Sequence, residues 1–216
     1  RRLWIFSAEP PHFHEQRISL FDFGFGNSRG GAYPFYRGFF SSEVIRSGDV
    51  LLDIGCGDGF FTRRFLAENS VHIDAIDIEP TAIESACRYN AAVNIDYRLL
   101  DATKESFPRV DYDVVSWDGA LGHFSRESSQ AMIQKIRSSM KGDGVFVGSE
   151  CLGFDGLDHL QFFKTTEEMA ALFKPYFKYV QIRSIQYDIG ATRTEAYWRC
   201  SNSYERLAAA GWTLFS

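Results

Sequence analysis

The 216-residue sequence is short of several features, and each shortage removes a class of function. Basic residues do not predominate: 23 Lys and Arg face 28 Asp and Glu, leaving a formal net charge of −5. A dedicated nucleic-acid binder needs a basic face to displace counterions from phosphate, so no nucleic-acid partner is expected. Long apolar runs are missing too. Nothing approaches the roughly 18 residues that a membrane-spanning helix requires, and no membrane partner is expected. The opening Arg1-Arg2-Leu3-Trp4 leads into Ser7, Glu9, Pro10 and Pro11, which break any signal-like apolar stretch. Only four cysteines occur, Cys56, Cys87, Cys151 and Cys200, and none forms a CxxC pair. A zinc site therefore has no sequence support and no metal is expected. The thiols read as reduced and mostly buried, in a cytoplasmic protein. Internal repeats and low-complexity tracts are also missing.

Aromatic residues, in contrast, are plentiful: 20 Phe, 10 Tyr and 4 Trp make up 16% of the chain. Apolar and charged shares of 45% and 24% are those of an ordinary globular protein, and the length suits one domain with a full core. Residues 1–48 combine rings with glycines, as in Phe21-Asp22-Phe23-Gly24-Phe25-Gly26 and Tyr33-Pro34-Phe35-Tyr36. They follow no strand–helix pattern and read as a cap or lid segment. Tyr33, Phe35, Tyr36, Phe39 and Phe40 would supply an apolar wall, and Gly24, Gly26, Gly30 and Gly31 the turns that let it move. Packing of a first helix onto the sheet is the competing reading.

Residues 49–216 read as a second, regular unit. Val50 to Ile54 is a β-branched and apolar run ending in glycines, as buried parallel strands do. Phe60 to Asn69 reads as a helix with Phe61, Phe65 and Leu66 on one face. Val71 to Ile78 is a second strand, and Pro80 suits the first turn of a helix through Ala92. Asn94 to Leu100 and Tyr112 to Trp117 are strands three and four. Ser125 caps a helix to about Lys141, and a Gly142-Asp143-Gly144 turn leads into strand five, Val145 to Ser149. Thr165 or Thr166 caps a further helix, and strands over 178–188 and 193–200 follow, with Gly190 between them. This alternation predicts an α/β three-layer sandwich whose seven-stranded, mostly parallel sheet ends in an antiparallel hairpin. Ligands then sit beyond the carboxyl ends of the strands, where strand order reverses.

Asp53-Ile54-Gly55-Cys56-Gly57-Asp58-Gly59 is the most informative stretch. Closely spaced glycines after a strand let the backbone turn tightly and admit a ligand where a Cβ would block it. The next strand ends at Asp77, where a carboxylate can accept from both hydroxyls of a ribose. A pyrophosphate loop wants its third small residue one position later, where Phe60 stands, and the charge of Asp53 repels phosphate. The same charge suits S-adenosylmethionine, which carries a sulfonium and an ammonium and no phosphate. That favours the sulfonium cofactor over NAD.

Val50 to Gly59 resembles the first motif of the Rossmann-like (class I) S-adenosylmethionine-dependent methyltransferases. Ile76-Asp77-Ile78-Glu79-Pro80-Thr81-Ala82-Ile83 resembles that family's second-strand motif, and Leu100-Asp101-Ala102 falls at its adenine contact. Asp111 to Trp117 resembles its fourth strand, and Lys141-Gly142-Asp143-Gly144-Val145 its turn into the fifth. The similarity covers about residues 44–200. It implies a Rossmann-like fold with S-adenosyl-L-methionine as cofactor. Gly55 and Gly57 would then lie against the amino-acid part of the cofactor, with Asp53 near its ammonium and Cys56 as a small filler. Asp77 would hold the ribose hydroxyls and Ile78 would pack on the adenine. Asp101 would accept from the adenine amino group, and the Ala102 backbone would meet the ring. Trp117 and Asp118 would face the methionine part or the substrate. For Asp77 and Asp101 the competing readings are a helix cap and a local turn.

Methyl transfer is an in-line displacement that asks an enzyme chiefly to align its reactants and exclude water. A base is needed only where the acceptor must lose a proton early. His123 after the fourth strand, Glu150 after the fifth, and His159 beside Asp158 are the candidate catalytic groups. A histidine that only packs and a solvated loop pair are the bland alternatives. The expected activity is methylation of an O or N of a small-molecule acceptor, such as a sugar or another biosynthetic intermediate. The fourth-strand region lacks the Asn-Pro-Pro-Tyr-type sequence of many enzymes that methylate amino groups of nucleic acids and proteins. An NAD(P)-dependent oxidoreductase and a non-catalytic S-adenosylmethionine-binding protein are the rivals. A homodimer is left open.

Overall fold

A computed structural model describes residues 32–154, 159–188, 192–207 and 211–215. Its strands are β1 (Asp49–Ile54), β2 (Ser70–Asp77), β3 (Ile95–Leu99), β4 (Tyr112–Trp117), β5 (Met140–Leu152), β6 (Tyr179–Asp188), β7 (Thr192–Ser201) and β8 (Thr213–Phe215). They form one sheet in the order β3-β2-β1-β4-β5-β7-β6-β8. β1 to β5 pair in parallel, and β7 lies antiparallel between β5 and β6. Chain order reverses between β1 and β4, the switch point at which open α/β sheets bind ligands.

The helices are α1 (Ala32–Ser42), α2 (Pro80–Tyr89), α3 (Arg126–Ser139) and α4 (Thr166–Phe173). Ser125 and Thr165 cap α3 and α4 through their side-chain oxygens, as their sequence positions require. Two clusters of buried residues fill the faces of the sheet. Leu52, Ile54, Val115, Trp117, Phe146 and Trp198 pack with α3 and α4 residues such as Met132, Ile136, Met169 and Phe173. Leu51, Ile73, Val114, Val145 and Val147 pack under Val44, Ile45 and Leu66. β1 and β4 are buried on both faces, which is why they read as continuous apolar runs.

Three expectations need correction. The sheet has eight strands, because Thr213–Phe215 pairs antiparallel with Val180–Ile182; three residues offer no alternation to detect. The helix read over Phe60–Asn69 forms but ends at Leu66, and over Thr62–Leu66 it is a π-helix in which the Ala67 N–H donates to the Thr62 carbonyl (3.1 Å). The Gly142-Asp143-Gly144 turn is a bulge inside β5: Tyr112 of β4 faces Met140 and Val114 faces Val145, with Lys141 to Asp143 exposed. Phe21 to Gly26, Gly30, Gly31, Asp158 and Gly190 lie outside the described residues, as do the side chains of Tyr33 and Phe35.

The later rings of the aromatic segment lie on α1. A Cβ on Gly38 would overlap the Phe65 ring, so glycine lets α1 lie directly on the π-helix. Phe39 meets Phe65 edge-on and Phe40 meets Tyr197 of β7. No helix among the described residues is long and apolar enough to cross a membrane.

Candidate active site

The chain leaves β1 through Gly55, Cys56, Gly57, Asp58 and Gly59. Gly55, Gly57 and Gly59 take φ values of 72°, 56° and 74°, a region glycine enters without steric penalty. The N–H groups of Gly55 (2.8 Å) and Cys56 (3.1 Å) both donate to the Ile76 carbonyl, tying the turn to β2. A Cβ on Gly55 or Gly57 would enter open space, with no atom within 4 Å. One on Gly59 would collide with the Tyr97 phenol, so the third glycine, early for a pyrophosphate loop, serves packing. Burial and nearby carboxylates push the Cys56 thiol up, which removes it as a nucleophile.

Asp77 closes this turn from below. Its Oδ2 accepts from the Gly57 N–H (2.8 Å) and its Oδ1 from the Glu79 N–H (2.9 Å). Glu79, not Asp77, caps α2 by accepting from the Thr81 N–H. Burial raises the Asp77 carboxyl in spite of its two bonds. Each oxygen keeps a lone pair for a further donor. Asp53 is 6% exposed and accepts from the Thr62 hydroxyl (2.5 Å). Burial, with repulsion from Asp118 and Asp77, raises its carboxyl to about 6 against the bonds from Thr62 and Ser116.

Asp118 is the first residue beyond β4. Its Oδ1 accepts from the Ser149 hydroxyl (2.5 Å) and its Oδ2 from Arg37 Nε of α1. Arg37 also lies 4.8 Å over the Phe61 ring. Asp53, Asp77 and Asp118 thus gather at the β1/β4 switch point, a field that suits a cation and opposes a pyrophosphate. Trp117 requires a correction. Its indole is 1% exposed and meets Phe124 in the core (5.0 Å), so its side chain does not face this mouth.

Where the family resemblance leads one to expect the adenine, Ile78 is 53% exposed beside Asp77, an apolar surface without a cover. Asp101 takes the Lys104 ammonium (2.8 Å), the Thr103 hydroxyl (2.5 Å) and the Thr103 N–H (2.9 Å). Lys104 and Thr103 hold its carboxyl down at about 2. This is the local turn of the competing reading, and it leaves an ionised carboxylate at the edge of the site. The neighbouring Ala102 carbonyl accepts from Lys135 (2.6 Å).

Of the catalytic candidates, His123 closes a 3₁₀ turn, Leu121–His123, and its ring stands edge-on to that of His159, centroids 4.5 Å apart. Residues far apart in sequence therefore share one place beyond β4. Glu150 is buried, and its oxygens accept from the N–H groups of Gly122 (2.7 Å) and Cys151 (3.0 Å). It fixes the turn that carries His123. Among the described residues, His72, Asp74 and Asp96 are grouped closely enough to hold a metal ion, toward the amino ends of β2 and β3. There Arg109 (2.6 Å) and Tyr112 (2.9 Å) already occupy Asp74.

Sequence reasoning missed Arg37, Ser149 and Glu195. Ser149 bonds Asp118 and lies 3.1 Å from Glu195, which is 1% exposed. Each of the three stands among other polar residues of its own element, so no local signal marked it.

Residues 51–144 match the model of a family described as a methyltransferase domain. The malonyl-acyl-carrier-protein O-methyltransferase of Acetivibrio thermocellus is 32% identical over 114 residues, 52% of this chain and 37% of that protein. The mRNA cap guanine-N(7) methyltransferase of Saccharomyces cerevisiae is 30% identical over 124 residues, 50% of this chain and 28% of that protein. The chain thus spans well under half the length of these curated relatives. The solved N-methyltransferase NodS of Bradyrhizobium japonicum, in complex with S-adenosyl-L-homocysteine, superposes with a TM-score of 0.57 at 19% identity. The match covers 78% of this chain and 84% of that one, a likeness of fold.

Proposed function

We propose that this chain, which belongs to the Rossmann-like (class I) S-adenosylmethionine-dependent methyltransferase family and takes S-adenosylmethionine as its cofactor, transfers a methyl group to an oxygen or nitrogen of a small-molecule acceptor. The observation that carries the reading is the bare backbone at Gly55 and Gly57, bonded to Asp77 and faced by Asp53 and Asp118. A ligand with two positive charges and a ribose meets complementary groups there. The cofactor supplies an activated methyl on a sulfonium. Gly55 and Gly57 would admit its amino-acid part, Asp53 would face the ammonium, and Asp77 would hold the ribose. Ile78 and Asp101 would receive the adenine. α1 covers the strand ends through Arg37, which supports a lid role for the segment that contains it.

A small acceptor is favoured by the net charge of −5, which gives no basic face for a nucleic acid. Relatives are named for acceptors as different as a carrier protein's malonyl group and an RNA cap, and it is the charge of this chain that favours the small acceptor. The cytoplasm is the proposed location.

Gly57→Ala tests the site more cleanly than loss of Asp77, which also anchors the turn. The left-handed φ makes alanine cost about 1 kcal/mol, yet its methyl would occupy the place meant for the ligand. Calorimetry with S-adenosylmethionine should show binding by the parent chain and a loss of tenfold or more in Gly57→Ala, with the fold retained. Equal affinity would move the cofactor elsewhere. A panel of hydroxyl and amine acceptors, read by S-adenosylhomocysteine release, then identifies the substrate.

A further inference from the structure

Ser149 lies in β5 opposite Tyr197 of β7, with its hydroxyl between carboxylates from two other elements. Its Oγ is 2.5 Å from Asp118 Oδ1 and 3.1 Å from Glu195 Oε1. A serine hydroxyl has one hydrogen to donate. It can serve one carboxylate at a time, and the other contact is favourable when that carboxyl brings a proton of its own. Ser149 and Glu195 are buried, so water does not interrupt the chain. Each outer oxygen meets an arginine: Arg37 on Asp118 Oδ2, and Arg193 Nε at 3.0 Å from Glu195 Oε2. Two cations match two acids, and the trio can stand with or without an added proton.

We propose that Asp118, Ser149 and Glu195 form a proton relay that takes the proton lost by the methyl acceptor and stores it on Glu195. The proposal rests on the methyl-transfer reading above. The acceptor's O–H or N–H proton passes to Asp118, and the electron pair of that bond stays on the acceptor atom, which forms the bond to the methyl carbon. The pair of the methyl–sulfur bond stays on sulfur. Asp118 hands a proton to Ser149 Oγ as Ser149 gives its own to Glu195 Oε1, so the serine ends as it began. One positive charge disappears at sulfur and one negative charge at Glu195. Asp118 meets the acceptor; Ser149 and Glu195 are positioning residues that act through it.

Glu195 is faced by Arg193 on its own strand, Arg37 of α1, Glu150 of β5, Asp118 beyond β4 and Tyr187 of β6. Burial raises its carboxyl to about 7, with Arg193 and Arg37 opposing and Glu150 and Asp118 assisting. A group in that range gains and loses a proton near neutrality.

Calorimetry at pH 7 in buffers of high and low ionisation enthalpy counts the protons exchanged when S-adenosylmethionine or S-adenosylhomocysteine binds. The two ligands differ at sulfur by one positive charge, so their difference isolates groups that feel the sulfonium. The methylated ligand should release up to roughly half a proton more. That excess should vanish in Glu195→Gln and shrink in Ser149→Ala, which removes one oxygen and keeps the test open if Glu195→Gln fails to fold. No excess, or one that persists unchanged in these variants, overturns the relay. Heat from neither ligand removes the cofactor reading itself, and the relay with it. With the acceptor from the panel, the parent rate should rise with pH through about 7 and Glu195→Gln should lose that limb; a retained limb again overturns the proposal.

Discussion

Burial holds the Asp53 carboxyl at about 6, against 3.8 for a free side chain. Because the folded value is the higher, the folded chain binds this proton more tightly than the unfolded one. Asp53 therefore favours folding below about pH 4, and that contribution is lost as pH rises from about 4 to 6, leaving a cost on the order of 1–3 kcal/mol at neutrality. Asp53→Asn removes the cost. Thermal melts should show the free variant a few degrees more stable than the parent at pH 7.5, with the gap closing by about pH 4. Cofactor binding should move the other way. The ammonium favours ionised Asp53, so parent affinity should fall below pH 6, by up to about tenfold per unit, while the variant binds weakly and without that slope. A variant with parental affinity would separate Asp53 from the ligand's charge. That Asp53, Gly55, Gly57 and Asp77 meet at one turn was legible because they stand in one strand–turn–strand unit whose geometry is local. Ser149 and Glu195 were not, because their meeting depends on the register of β5 against β7, where Cys151 faces Glu195 and Ser149 faces Tyr197. Trp117 was misplaced for a related reason: alternation along β4 puts it on the core face with Val115, and only Asp118 passes the strand end.

Elements were legible where periodicity is long and caps are chemical, as at β1, β4, α3 and α4. They were less so where a tertiary contact overrides propensity. The run from Phe60 to Asn69 has helical spacing and is helical as far as Leu66, but Thr62 bonds Asp53, Phe65 lies under α1, and the helix is short and of π form. Gly38 controls this junction. Gly38→Ala drives a methyl group into the Phe65 ring, an overpacking that costs about 1–3 kcal/mol. The same substitution in a Phe65→Leu background should cost measurably less, because the obstructing ring is gone. Denaturant melts of the four proteins decide the matter; equal costs in both backgrounds would mean that another contact sets the place of α1. The displaced helix also carries Arg37 away from Asp118, so Gly38→Ala should alter cofactor affinity where a remote substitution of equal cost does not.

At the scale of the whole molecule, alternation of strand and helix was enough to predict parallel strands between helical layers, because few other arrangements bury such faces. The position of the C-terminal residues was not legible, since it depends on single polar contacts between distant parts of the chain. Arg199 of β7 stacks on Trp212 (4.0 Å) and donates to the Phe40 carbonyl (2.9 Å), binding the final strand region to α1. Arg206, in the 3₁₀ turn Tyr204–Arg206, donates to Asp49 at the start of β1 (2.9 Å), with both side chains under a tenth exposed. The same Asp49 oxygen accepts from the Arg46 N–H (2.8 Å). Arg206→Met would strand a buried carboxylate with one weak donor, a loss of roughly 3–5 kcal/mol. At about 2–4 °C per kcal/mol for a chain of this size, the melting temperature should drop by roughly 6–20 °C. Asp49→Asn combined with Arg206→Met should recover most of that drop, because the amide is neutral and its oxygen still accepts from Arg46. If the single substitution costs less than about 1 kcal/mol, the pair behaves as a solvated one and the C-terminal turn is held by apolar packing of Leu207 and its neighbours alone.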